Sequence, residues 1–88
     1  MKIKVQASFE KDVLKIKNQK LAVQLGEMIE MLENSSSLDD IHHLKKMKSK
    51  GAYYRIRLGH YRLGLRMEKD TLILLRFMNR KEIYKYFP

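Results

Sequence analysis

The sequence predicts an α+β domain in which an N-terminal helical hairpin covers one face of a small, mainly antiparallel sheet, in the order β-α-α-β-β-β. Two patterns along the chain predict this fold. In the first half, apolar residues recur at the spacing of a helix, whereas from Tyr53 onward apolar and polar residues alternate as in strands. The 88 residues suffice for one domain with a thin core, so residues 1–88 are expected to form a single unit. No stretch approaches the ~18 consecutive apolar residues of a membrane-spanning helix.

The first half of the chain is predicted to form a strand followed by two helices. The strand covers Lys2–Ala7, where polar and apolar residues alternate. Ser8 is the expected N-cap of the first helix, because its hydroxyl can accept hydrogen bonds from the first free amides. Residues 17–19 end or bend that helix. The second helix shows the clearest helical period in the chain, carried by Leu21, Leu25, Met28, Ile29 and Leu32.

The second half is predicted to hold three antiparallel strands. A loop at residues 34–37, one short helical turn and a basic run over residues 45–51 come before them. Gly59 and His60 are expected to form a two-residue turn, since type II′ hairpins prefer Gly first. A short C-terminal helix, or otherwise an extended tail, is expected over residues 79–87. The three strands are Tyr53–Leu58, Tyr61–Glu68 and Thr71–Met78, the last apolar on both faces as in a central strand.

Charge is divided unequally between the two halves. Residues 1–44 contain six Lys against seven Asp and Glu, a net charge of −1, whereas residues 45–88 contain 13 Lys and Arg against three acids, a net charge of +10. The whole formal charge of +9 therefore belongs to the second half. An asymmetry of this size favours a polyanionic partner over general solubility.

All six arginines lie within residues 55–80, in the segment that is predicted to form strands. The planar guanidinium group matches phosphate with two parallel hydrogen bonds, so nucleic acid is the expected ligand. Gly64, which has no side chain, is expected to leave a shallow space between Arg62 and Arg66 where a phosphate could approach. The sequence has no Cys and only three scattered His, so neither a metal site nor a cofactor is expected.

The segment YYRIRLGHYRLGLRM, with RFMNRKEIYKYFP after it, resembles the RelE/ParE superfamily of toxins from type II toxin–antitoxin systems. The resemblance covers the whole chain and is most specific in the second half. Within the superfamily, the sequence looks closest to the RelE-like mRNA interferases. These metal-independent endoribonucleases enter the ribosomal A site and cut the bound message, and each is held inactive by a cognate antitoxin.

The resemblance implies site residues at the positions that match the family motif. The two basic positions of the second strand fall on Arg55 and Arg57, and the C-terminal Arg and Tyr fall on Arg80 and Tyr84. The YR pair of the third strand supplies Arg62. Several relatives have Lys in place of the first two arginines, and they often have His just before the C-terminal Arg. Because an arginine stays protonated at neutral pH, these departures leave the general base unassigned.

Cleavage of RNA without a metal requires the ribose 2′-hydroxyl to lose its proton and attack the adjacent phosphorus, which leaves a 2′,3′-cyclic phosphate. Arg62 and Arg80 are predicted to stabilise the charge that grows on the phosphate. Arg55 and Arg57 would orient the RNA backbone, and Tyr84 would transfer a proton, since neighbouring cations favour phenolate. The predicted RNA-binding residues include two loop lysines, Lys48 and Lys50.

Other interpretations of these residues and of the function stay open at this point. Tyr84 could instead pack with Tyr86 and Phe87. Arg66 and Arg76 are expected to be surface or structural residues, and the three His residues, His42, His43 and His60, are expected to face solvent. A ParE-like inhibitor of DNA gyrase and a non-catalytic RNA-binding module are the alternative functions. The expected partners are an acidic antitoxin, mRNA and the ribosomal A site, in the cytoplasm and without a membrane.

Overall fold

The computed structural model describes residues 1–48 and 51–88 and confirms the predicted α+β architecture. One five-stranded sheet has the order β1-β5-β4-β3-β2. Its strands are β1 (Lys2–Val5), β2 (Leu44–Lys46), β3 (Tyr53–Leu58), β4 (Tyr61–Glu68) and β5 (Thr71–Asn79). The helices are α1 (Ala7–Leu14), α2 (Gln19–Asn34) and α3 (Arg80–Tyr86), with a 3-10 turn at Leu38–Asp40. Within residues 1–48 and 51–88, no helix is long and apolar enough to cross a membrane.

The sheet contains one strand more than the sequence predicts. β2 pairs antiparallel with β3, with Leu44 opposite Ile56, in a region that was expected to be a helical turn and a basic loop. β2 has only three residues, too few to show an alternation of apolar and polar residues. It is a strand because it pairs with β3. The sheet is also mixed rather than wholly antiparallel, since β1 runs parallel to β5.

The start of the first helix also differs from the expectation. α1 begins at Ala7 after the N-cap residue Gln6, so the prediction of Ser8 as the N-cap is wrong. The Ser8 hydroxyl instead donates a hydrogen bond of 2.6 Å to the Leu75 carbonyl oxygen, which ties α1 to β5. The predicted break at residues 17–19 is confirmed, because the Asn18 side chain caps α2.

Two apolar clusters lie on opposite faces of the sheet. The larger cluster joins the helical hairpin to the sheet and includes Phe9, Leu25, Leu32, Ile56, Leu63, Leu65, Leu72, Leu74 and Phe77. The smaller cluster joins α3 to the other face and consists of Ile73, Leu75, Ile83 and Phe87. The face of the sheet opposite the hairpin is therefore partly apolar. α3 packs on this face between the smaller cluster and the arginines of β3 and β4.

Gly64 fixes the position of α3 on this face. A Cβ atom at Gly64 would lie 2.8 Å from ring atoms of Phe87, so the ring can pack there only because residue 64 is glycine. The expectation that this space is open to a phosphate is wrong, because Phe87 fills it.

Candidate functional site

Four arginines and one tyrosine line adjoining cavities beside α3. We call them the arginine groove: Arg55, Arg57, Arg62, Arg80 and Tyr84. One cavity of about 460 Å³ lies between Tyr84 and the first three arginines. A second, of about 550 Å³, lies between Arg80 and the β3–β4 turn. The structure thus brings together the five residues that the sequence assigned to phosphate binding and proton transfer.

The register of the sheet explains why the strand arginines meet. Arg57 lies directly opposite Arg62 in the β3–β4 pair, so both side chains are on one face. Arg55 lies two residues before Arg57 and shares that face, next to Lys45 of β2.

The start of α3 explains how Arg80 and Tyr84 join them. The backbone N–H of Arg80 donates a hydrogen bond of 2.9 Å to the His60 carbonyl oxygen, which holds the start of α3 beside the β3–β4 turn. Tyr84 follows four residues later and lies on the same side of the helix. The Asn79 side chain caps the helix by accepting a hydrogen bond from the backbone N–H of Glu82.

Arg62 is the most constrained side chain of the groove. Its Nη1 atom donates hydrogen bonds to the carbonyl oxygens of Gly59 at 2.8 Å and Tyr61 at 2.9 Å. Gly59 has a φ of 60°, which the type II′ turn requires at its first central residue. Since these bonds use one nitrogen, the other N–H groups of the guanidinium are available to a ligand.

The charge environment of Arg62 favours an anion. Burial lowers the pKa of Arg62, and Tyr84 partly offsets this by raising it. The neighbouring arginines lower the pKa further, in the order Arg55, Arg80 and Arg57. In the part of the chain that the structure describes, none of the four groove arginines forms an ion pair with a carboxylate. A phosphate entering the groove would therefore relieve repulsion that the fold itself leaves in place.

Tyr84 packs against a cation and not within the core. The Arg55 Cζ atom lies 4.7 Å from the centre of the Tyr84 ring, a cation–π arrangement. The side chain is 54% exposed and belongs to neither apolar cluster. Its hydroxyl is thus free to contact a ligand. The packing of α3 against the sheet comes instead from Ile83 and from Phe87, the residue after the helix.

His43 lines both cavities of the groove, a position that no sequence pattern indicates. It lies just before β2, and its Nδ1 atom is 3.3 Å from Nη2 of Arg57. Its φ of 63° is in the left-handed region, which is uncommon for residues other than glycine. The expectation that His43 faces solvent is confirmed, since the residue is exposed, but its place beside the arginines depends on β2, which was not predicted.

The loop lysines differ from the groove residues. Lys48 is exposed beyond the end of β2, and Lys50 lies outside the described residues. Lys45, which was not singled out, lines the cavity beside Arg55. The RNA-binding role of Lys48 and Lys50 stays a prediction.

The remaining two arginines each pair with a carboxylate. Arg76 forms two hydrogen bonds to Asp12, with Nε at 2.8 Å from Oδ2 and Nη2 at 3.1 Å from Oδ1. Arg66 lies 3.2 Å from a Glu68 oxygen. Both placements agree with the expectation of surface or structural roles.

Over residues 1–48 and 51–88, no three His, Cys, Asp or Glu side chains are grouped so that they could hold an ion.

Comparisons with known proteins identify the same family along nearly the whole chain. The family model "ParE toxin of type II toxin-antitoxin system, parDE" matches residues 3–84. Toxin RelE3 of Methanocaldococcus jannaschii is 39% identical over 89 residues, which cover 100% of both chains.

Solved structures give the corresponding result for the fold. The toxin-like chain in the RelB-RelE antitoxin-toxin complex from Methanococcus jannaschii superposes with a TM-score of 0.82 and 36% identity, over 97% of this chain and 99% of that one. A chain of the archaeal RelE-RelB complex from Pyrococcus horikoshii OT3 superposes with a TM-score of 0.71 over 90% of this chain and 93% of that one. At 19% identity, the second match supports the fold alone.

Proposed function

We propose that this chain is an mRNA endoribonuclease. The premise is that it belongs to the RelE/ParE superfamily and is a RelE-like toxin of a type II toxin–antitoxin system. The observation that carries the proposal is the convergence of four arginines without carboxylate partners, and of an exposed tyrosine, on one groove. Such a groove binds a phosphate and also stabilises the additional charge of a transition state.

The residues of the groove suit the steps of metal-independent RNA cleavage. Arg62 is held by backbone carbonyl groups, so its free N–H groups can meet the scissile phosphate without reorganisation. Arg80 approaches the same cavity from the start of α3, where it can neutralise a second phosphate oxygen. Arg55 and Arg57 would orient the flanking backbone, and Tyr84 would exchange a proton with the reacting ribose or the leaving oxygen.

We propose mRNA on the ribosome as the substrate and an acidic antitoxin as the inhibitor. The net charge of +10 on residues 45–88 favours both polyanions. The relative from Methanococcus jannaschii is a toxin in complex with RelB, which supports an antitoxin partner for this chain. We expect the antitoxin to cover or displace α3, because that helix carries Arg80 and Tyr84. The proposed substrate would place its action in the cytoplasm, where messages are translated.

The proposal is tested by single-turnover cleavage of mRNA on programmed ribosomes. The wild-type protein should cut the message in the codon being read. Arg80→Ala should cut at least on the order of 10²-fold more slowly, because removing one preorganised donor commonly costs this much. Lys11→Ala, an exposed charge removal on α1, is the matched control and should cut at the wild-type rate. Intact messages with wild-type protein would contradict the proposal.

A ParE-like action on DNA gyrase is the second candidate, because the matching family model carries the ParE description. Expression of the toxin alone distinguishes the two. Cleaved transcripts and arrested translation support the endoribonuclease, whereas early DNA breaks with intact transcripts support the gyrase inhibitor. Co-expression of the acidic antitoxin should suppress the arrest in either case. A third outcome, salt-dependent RNA binding without cleavage, would identify a non-catalytic binding module.

A further inference from the structure

We propose that His43 is the proton acceptor of the cleavage reaction, an inference that rests on the proposed endoribonuclease activity. Two histidines lie beside the groove: His43 lines both of its cavities, and His60 lines only the second of them. Guanidinium groups have no acceptor and stay protonated at neutral pH, so none of the groove arginines can remove a proton from a 2′-hydroxyl. Histidine is the side chain whose unperturbed pKa places its charge change between about pH 5 and 8.

The position of His43 suits this role because it lies across the groove from Tyr84. Both side chains line the cavity of about 460 Å³, His43 from the segment before β2 and Tyr84 from α3, with the strand arginines between them. In phosphoryl transfer, the attacking and leaving oxygens lie roughly in line on opposite sides of phosphorus. Two proton-transfer groups that enter one cavity from different elements can therefore serve the two oxygens.

The backbone holds His43 in place. Its φ of 63° is in the left-handed region, which residues other than glycine seldom adopt, and conformations of this kind concentrate at functional sites. The backbone N–H of Arg57 donates to the His43 carbonyl oxygen at 3.4 Å, and the β2–β3 pairing begins at the next residue, Leu44. The backbone of His43 is thus anchored to β3, the strand that carries Arg55 and Arg57.

The contact with Arg57 defines the tautomer. Because a guanidinium group can only donate, the Nη2 atom of Arg57 donates to Nδ1 of His43 at 3.3 Å. The lone pair is then on Nδ1 and the proton on Nε2 of a neutral imidazole. When a phosphate draws Arg57 to itself, Nδ1 becomes available as a base.

The proposed step moves one proton from the 2′-hydroxyl to His43 and one proton from Tyr84 to the leaving 5′-oxygen. The 2′-hydroxyl gives its proton to Nδ1 of His43 while its oxygen bonds to phosphorus. The bond between phosphorus and the 5′-oxygen breaks, and that oxygen receives the proton of the Tyr84 hydroxyl. The products are a 2′,3′-cyclic phosphate and a 5′-hydroxyl. Release of a proton from His43 to water and uptake of one by Tyr84 then restore the enzyme.

The charged and titratable side chains that line these cavities with His43 are basic residues and one tyrosine. They come from β2, β3, β4, the β3–β4 turn and α3, and they are Lys45, Arg55, Arg57, His60, Arg62, Arg80 and Tyr84. Bound RNA brings the negative charge that balances them. The pH dependence of cleavage must therefore be measured with the message already bound.

The test compares wild-type protein with His43→Gly in single-turnover cleavage on programmed ribosomes between about pH 5 and 8. Glycine adopts the left-handed conformation of residue 43 without strain, so the backbone should be retained. We expect a loss on the order of 10²-fold in rate at unchanged affinity for the ribosome. Added imidazole should restore part of the rate. The wild-type rate should rise with pH across this range, and this rise should be absent in the variant.

His42→Ala is the matched control, because His42 is exposed like His43 but lines neither cavity of the groove, and it should cut at the wild-type rate with the wild-type pH profile. Where His43→Gly lowers the melting temperature, His43→Asn provides the second variant, since asparagine also tolerates this conformation. Wild-type cleavage by these variants overturns the role of His43 alone. A loss without imidazole rescue and with the pH rise retained also overturns it. A wild-type protein that cuts no message overturns the proposed function as well.

Discussion

Arg76 and Arg62 lie on the neighbouring strands β5 and β4, yet their surroundings are opposite in charge. Arg76 is hydrogen-bonded to the buried carboxylate of Asp12, and this hydrogen bond raises the pKa of Arg76 against the opposing effect of burial. Arg62 lies among three other arginines, and burial together with these cations lowers its pKa. One guanidinium is neutralised within the chain, and the other is left unmatched.

The difference separates arginines that pair with a carboxylate of the fold from arginines of the groove, which do not. Asp12 also accepts a hydrogen bond of 2.9 Å from the backbone N–H of Phe77, so the pair with Arg76 joins α1 to β5 within the fold. An anion could gain little by binding there. In the arginine groove, repulsion between like charges costs stability, and a bound phosphate would remove that cost. Functional sites are where proteins tolerate such local conflicts.

The largest effect should follow from breaking the matched pair. Asp12→Ala leaves the Arg76 guanidinium and the Phe77 N–H without an acceptor in a partly buried place, so we expect a loss of about 3–5 kcal/mol in the free energy of unfolding. Thermal and urea unfolding would measure it. Asp12→Ala combined with Arg76→Met should recover much of the loss, because it removes the unpaired charge. Equal stability of wild-type protein and Asp12→Ala would show that the pair does not hold α1 to β5.

Replacement of Arg62, which has no carboxylate partner, should lower the cleavage rate and leave the stability nearly unchanged. Arg62→Ala should lower single-turnover cleavage by about 10²–10³-fold, while the free energy of unfolding changes by less than about 1 kcal/mol. Arg62→Lys tests geometry against charge, since lysine keeps the charge but lacks the planar fork, and it should recover only part of the rate. A melting temperature that falls in proportion to the rate would instead identify Arg62 as a structural residue.

The parts of this fold that could be predicted from the sequence are those that local chemistry specifies. The bounds of β3 and β4 follow from alternation, and the turn between them follows from Gly59. β2 could not be predicted, because its three residues become a strand only by pairing with a segment about ten residues further on. The filling of the space at Gly64 by Phe87 is also a long-range contact, so periodicity could not indicate it.

The same distinction applies to the site. Arg55, Arg57 and Arg62 alternate on two predicted strands, so the sequence places them on one face, and the family resemblance adds Arg80 and Tyr84. His43 has no such signal. Its place in the groove depends on β2, and its backbone conformation is one that no sequence pattern predicts for histidine.

A smaller effect is expected at the tyrosine of the groove. Tyr84→Phe keeps the ring that stacks on Arg55 and removes only the hydroxyl, so the melting temperature should stay unchanged. If the hydroxyl transfers a proton, cleavage should fall by about 10²-fold, as for other general acid–base groups. Single-turnover rates and thermal unfolding of Tyr84→Phe and Tyr84→Ala would be measured together. Full activity with Phe and a lower melting temperature with Ala would assign Tyr84 to packing instead.

The smallest effect is expected at Arg66, which gives the closest control for Arg62. Both arginines are on β4 and lie on the same face, four residues apart, so each alanine variant removes one positive charge from the same surface. Arg66 pairs with the exposed Glu68, and exposed ion pairs contribute about 0–1 kcal/mol. Arg66→Ala should therefore change the free energy of unfolding by less than about 1 kcal/mol. Cleavage should stay near the wild-type rate, because the charge removed lies outside the groove.

The assays are those used for Arg62→Ala, at two salt concentrations, since a purely long-range effect of net charge weakens with salt. If Arg66→Ala lost as much activity as Arg62→Ala, the rate would depend on total surface charge, and the distinction between matched and unmatched arginines would not hold.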